Sequence, residues 1–204
     1  MACLVIAGRA QASDILTFQA VSGTHTNTYT DGGSGLITIS YGTTINNWEF
    51  LSGSVSSQPS VGDASDDYIV LNLGSIENNG SSSPLTITVT ETSFSPFSTT
   101  YGTFDMVLSD YAGVNSSLTG FINSTSINTL NDTSGNAATW SQNINNGGLT
   151  SPFGMTETLV LPASPAASGP IFAELYLVPV PEPTTISLVA GGLLGLLALR
   201  RGKA

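Results

Sequence analysis

The chain has 204 residues, is rich in Ser, Thr, Asn and Gly, and carries only 4 Lys and Arg against 14 Asp and Glu. Its one cysteine, Cys3, and one histidine, His25, argue against a disulfide framework, a body thiol nucleophile and a Cys/His zinc site. The four bases, Arg9, Arg200, Arg201 and Lys203, all lie in the terminal segments, while every acid lies between Ser13 and Pro183; nucleic acid, which is gripped through Lys and Arg, is a poor partner for such a body.

In chain order, the first element is an apolar run, Ala2 to Ala7, followed by Ala10-Gln11-Ala12, the small-x-small form of a signal-peptidase site. Residues 1–12 therefore read as the end of a signal peptide whose true start lies upstream of Met1. The other reading of this segment is a short buried strand. A series of short strand candidates follows, separated by Gly-, Asn-, Ser- and Pro-rich turns. They are Ile15–Val21, Leu36–Tyr41, Trp48–Leu51, Tyr68–Leu73, Leu85–Thr92, a stretch around Phe104, Met106 and Leu108, then Leu118–Ile122, Ala138–Ile144, Met155–Leu161 and Ile171–Val178. The clearest is Leu85–Thr92, with Leu85, Ile87 and Val89 on one face and Thr86, Thr88 and Thr90 on the other. No body segment has the period of an amphipathic helix. About ten strands at this spacing predict an all-β fold over 13–178, an antiparallel β-sandwich of jelly-roll type. Pro162–Pro170 reads as a linker ahead of the last strand.

The last element is Thr184–Leu199, sixteen uncharged residues, of length about 24 Å as a helix. That is slightly short of a hydrocarbon core, a gap that snorkelling of Arg200 and Arg201 can close. With Lys203 these form a basic membrane anchor that stays in the cytoplasm, leaving the acidic body outside. Just before the helix, Pro179, Pro181 and Pro183 enforce an extended chain, a form that enters a protease cleft at low entropic cost.

Few side chains suggest chemistry. His25 lacks partners for a triad, and no Gly-x-Ser-x-Gly elbow is present. Paired carboxylates, Asp66 with Asp67 or Asp105 with Asp110, are the candidates for glycoside hydrolysis, but no body base stands by to grip a sugar. Asp63, Asp66 and Asp67 concentrate hard oxygen ligands before a strand and are candidate calcium ligands, as is the loop Asn131–Asn136. The competing role of both loops is turn formation through Asp and Asn side chains. Trp48, Trp140, Tyr29, Tyr41 and Tyr111 are candidates for stacking on sugar, although both tryptophans also suit a core.

Val180-Pro181-Glu182-Pro183, the glycine-bearing hydrophobic helix and Arg200-Arg201-Gly202-Lys203 together resemble the PEP-CTERM sorting signal, also named the ice-binding-protein C-terminal domain. The resemblance covers about residues 178–204. It implies a bacterial protein exported to the surface, recognised by a membrane-embedded exosortase at Pro181-Glu182-Pro183 and commonly found beside exopolysaccharide. The expectation is therefore a non-enzymatic surface or matrix protein without a required cofactor. The alternatives are a secreted glycan-active hydrolase and an ice-binding or adhesin-type β-protein using the Thr-rich face.

Overall fold

The structure is a computed structural model and describes residues 15–58, 67–94, 101–110, 115–132, 137–145, 149, 152–164 and 168–180. Thirteen strands make up nearly all of it. They are β1 (Thr17–Ser22), β2 (His25–Thr30), β3 (Leu36–Ile39), β4 (Thr43–Ile45), β5 (Trp48–Gln58), β6 (Asp67–Asn78) and β7 (Leu85–Phe94), then β8 (Tyr101–Asp110), β9 (Ser116–Ile122), β10 (Thr125–Asp132), β11 (Ala138–Asn145), β12 (Phe153–Leu161) and β13 (Ser168–Val180). All pair antiparallel, as hairpins and long returns allow.

The strands form two sheets, in the orders β10-β9-β12-β7-β1-β2 and β11-β8-β13-β6-β5-β3, with β4 paired to β5. The last eight strands nest in pairs: β6 with β13, β7 with β12, β8 with β11, β9 with β10. That nesting, split as 6-13-8-11 on one sheet and 7-12-9-10 on the other, is the jelly-roll wrap. The first five strands widen both sheets at one side. The expected architecture is therefore present, and its eight-strand kernel lies in the second two-thirds of the body.

Local chemistry explains the hairpins that join neighbours. Asn46 and Asn47 both adopt left-handed backbone, with φ of 46° and 67°, and form the two-residue turn between β4 and β5. Asn123, φ 46°, does the same work between β9 and β10, and Gly23, φ 60°, opens the turn from β1 to β2. Asp31 organises the next loop. Its carboxylate accepts the backbone N–H of Leu16 at 3.1 Å and that of Gly35. Burial pushes its pKa up, but backbone N–H groups of Gly33, Gly35, Leu16 and Ser34 outweigh this and hold it below the usual value.

Strict alternation builds the core. In β12 the buried positions are Phe153, Met155, Glu157, Leu159 and Leu161, and in β9 they are Ser116, Leu118, Gly120 and Ile122. Trp48, Phe18, Phe50, Phe94, Phe104 and Phe153 are its largest fully buried members. Gly120 faces inward, and a Cβ there would stand 2.8 Å from Leu175 Cδ1 and 3.0 Å from Met106 Sδ. Side chains of the opposite sheet fill that space. One end of the sandwich is closed by a polar knot, in which Asn78 Oδ1 accepts the N–H of Ser81 at 2.6 Å and Asn46 Nδ2 donates to Ser22 Oγ at 3.1 Å.

Three strands had no counterpart among the sequence expectations: β2, β4 and β10. Each is a short polar arm of a tight hairpin, β2 and β10 returning and β4 leading in, without the apolar alternation that reveals a strand. The supposed linker 162–170 also needs correction, because β13 already begins at Ser168 and carries Pro170 as part of an irregular pairing with β6.

Candidate functional site

The last strand leads directly into the candidate sorting segment. β13 lies between β6 and β8, and among the described residues its pairing with β6 runs to Leu177 opposite Asp67. Pairing with β8 continues through Pro179 opposite Gly102 and Val180 opposite Tyr101. Among the described residues Pro179, which has no N–H to donate, is paired with β8 alone, near the end of its strand, where a sheet tolerates proline best. The chain is extended as far as Val180 and anchored at the core by Leu175 and Leu177, both fully buried.

Residues 179–202 match the PEP-CTERM protein-sorting motif. No curated protein matches the chain. The motif implies export, a membrane-anchored precursor and processing by an exosortase on the way to the cell surface. The match contains Val180, Pro181, Glu182, Pro183, Arg200 and Arg201; Lys203 follows it by one residue. Of these only Val180 is described, as the final residue of β13. Pro181, Glu182, Pro183, the helix expected over 184–199, Arg200, Arg201 and Lys203 lie outside the described residues, as do Ala10 and Ala12 of the expected cleavage site.

In the body, the sequence candidates scatter. Asp63 and Asp66 lie outside the described residues, while Asp67 opens β6 and is fully buried. Among the described residues no group of three His, Cys, Asp or Glu comes together. Asn131 and Asp132 close β10, with Asp132 buried, so the second oxygen-rich stretch begins inside a strand. His25 starts β2 and is exposed. Asp105 sits in the middle of β8, half-buried, on the outer face of its sheet; Asp110 ends the same strand.

The aromatic candidates do not form a platform. Trp48 is fully buried, and its indole N–H donates to the carbonyl of Ser83 at 3.1 Å. Trp140 packs on the core edge-on to Phe104, with ring centres 6.5 Å apart. Tyr29 leans on Phe18 at 5.9 Å. Tyr41 is well exposed and stands by itself; Tyr111 is outside the described residues.

Two features escaped the sequence reading. On the outer face of the second sheet, Tyr68 and Tyr176 pair across strands with ring centres 5.7 Å apart, and the Tyr176 hydroxyl donates to Glu174 at 3.0 Å. The same face carries Asp105. The other feature is Glu157, fully buried in β12, with neither carboxylate oxygen hydrogen-bonded. Burial raises its pKa well above the ordinary glutamate value, and the charge of Glu174 raises it further. Strict period-two counting from Met155 to Leu159 would have exposed it. Glu91, also buried, differs: its carboxylate accepts from Ser57 Oγ at 3.1 Å, from the N–H of Thr92 at 2.8 Å and from Ser93.

Proposed function

We propose that this is an exported, non-enzymatic protein of the bacterial cell surface or extracellular matrix, associated with exopolysaccharide. The observation that carries the reading is the sorting motif at residues 179–202, placed immediately after the last core strand. The body is then cargo, a jelly roll that meets the matrix through its outer faces.

The non-enzymatic part is supported by what the acids do. Glu91 holds the irregular end of β7, Asp31 orders a loop, and Glu157 is enclosed in the core. Each of the three is engaged or enclosed by the fold itself, whereas glycoside hydrolysis uses a pair of carboxylates open to a cleft. Calcium at Asp63, Asp66 and Asp67 would add rigidity to one loop and is not needed for this role.

The test is to isolate exopolysaccharide from producing cells, wash it at high salt and blot for the body. The protein is expected to remain with the polymer and to release no reducing sugar from it. Sugar release that disappears in the Asp105→Asn or Asp67→Asn variant would replace this reading with the hydrolase.

A further inference from the structure

The strand register assembles a surface that the sequence shows only in fragments. In the sheet ordered β10-β9-β12-β7-β1-β2, the outward residues align into ranks that cross all six strands. The central rank is Thr129, Thr119, Thr158, Thr88, Gln19 and Thr28. On one side of it runs Ser126, Phe121, Thr156, Thr90, Thr17 and Thr30, and on the other Asn131, Ser117, Val160, Thr86, Val21 and Thr26. Eleven of these eighteen positions are Thr and none is charged. The contrast with the opposite face is sharp, because Glu49, Glu77, Asp105 and Glu174 all lie on strands of the other sheet.

Neighbouring hydroxyls hold one another in place: Thr90 and Thr156 at 3.0 Å, Thr119 and Thr129 at 2.9 Å, Thr88 and Thr158 at 3.5 Å. Each hydroxyl has one proton and two lone pairs, so these mutual bonds leave capacity for a ligand. The β-branched side chains are stiff at χ1, which limits the entropy lost on binding. From sheet geometry the array measures about 24 Å across the strands and about 14 Å along them.

We propose that this face is the docking surface for an uncharged polysaccharide, lying across several strands; the inference rests on the exopolysaccharide reading above and assigns it a place. Three properties of the partner follow from the array. Its repetition in two directions rewards a polymer with repeating hydroxyls over a single sugar. Its neutrality, on a body whose charged residues are all acidic, selects an uncharged chain over an anionic one. Its twist, about 20–25° per strand step, suits a flexible chain that can follow the ranks and not a rigid planar lattice. The methyl groups of Thr, with Val21, Val160 and Phe121, would meet the C–H faces of the sugar rings while the hydroxyls pair with its hydroxyls.

The test uses the full-length chain in detergent micelles, sedimented with particles of swollen, amorphous cellulose, whose neutral chains are not locked in a lattice, and, separately, with carboxymethylcellulose beads. Retention on cellulose is expected to exceed that on the anionic beads. Thr88→Glu with Thr158→Glu should lower it at least tenfold. Should that pair misfold, Thr28→Glu with Thr129→Glu charges the exposed ends of the same rank. Tyr68→Ser with Tyr176→Ser, on the opposite face, should leave retention unchanged. Loss of retention in the Tyr variants with none in either Thr pair would overturn the assignment of the face and leave the glycan reading standing. Equal or tighter retention on carboxymethylcellulose would overturn the uncharged partner. Retention on neither matrix, in a protein that still co-purifies with its own exopolysaccharide, would overturn this proposal alone, as would shaping of ice crystals without cellulose binding. Loss of co-purification too would remove the reading beneath it.

Discussion

Replacing Trp48 with Ala is expected to cost about 3–5 kcal/mol of stability, the range for deleting a large buried aromatic side chain. Trp48 begins β5, is fully buried, and sits against the polar knot that closes one end of the sandwich. Two losses are possible, the packing volume and the hydrogen bond from the indole to the Ser83 carbonyl. The structure decides between them. That carbonyl also accepts the Ser81 hydroxyl at 3.1 Å and the Ser22 hydroxyl at 3.4 Å, so it is not orphaned by the substitution. The cost is therefore mainly cavity. Trp48→Phe, which refills much of the volume without the N–H, should recover more than half of the loss in thermal or urea unfolding. Equal destabilisation by Phe and Ala would instead assign the effect to the hydrogen bond.

Replacing Glu157 with Met should do the opposite and stabilise the body. The side chain lies between Val89 and Gly120 on its neighbouring strands, with both oxygens unsatisfied. Desolvation and then Glu174 hold its pKa above the unfolded value, so the folded state keeps the proton that the unfolded state releases. Stability from this group is thus full below the unfolded glutamate value, about 4.3, and is lost as pH rises towards the folded pKa. Asp31 acts in the reverse sense: its lowered pKa supports stability above the unfolded aspartate value and loses it only as pH falls below. A decline of melting temperature from pH 5 to pH 8 is therefore assigned to Glu157. Glu157→Met should flatten that slope and, at pH 8, gain about 1–3 kcal/mol, the cost of an unsatisfied buried polar group. An unchanged slope in the variant would show that the carboxyl is not the titrating group.

Much of this fold was legible before the structure. Leu85–Thr92 and Met155–Leu161 alternate cleanly, and β7 and β12 are adjacent central strands with one face in the core. What alternation cannot show is a strand with no buried face, and β2, all exposed or half-buried, is of that kind. Nor does a strand's own sequence state its neighbours. Thr86, Thr88 and Thr90 were visible as one outward row, but the partners that extend it to eighteen positions come from β1, β2, β9, β10 and β12, as far off as Val160, which pairs with Thr86. The tail was legible for the contrary reason. Three prolines, one glutamate, an apolar run and a basic end are contiguous, and their order carries the meaning without any tertiary contact. Trp48 marks the limit of composition: an aromatic residue in a Gly- and Asn-flanked stretch suits a sugar platform or a core equally well, and only the opposite sheet decides.

The central claim is that the end of this chain is an address. The most direct measurement is the intact mass of the protein recovered from the surface or medium of an exosortase-bearing host, beside the Glu182→Ala variant. The account predicts a surface form that has lost the hydrophobic segment 184–199 with Arg200, Arg201 and Lys203, and a variant held in the membrane fraction at its uncut length. A surface form that keeps its whole C-terminus, or a Glu182→Ala protein trimmed and released like the wild type, would contradict it.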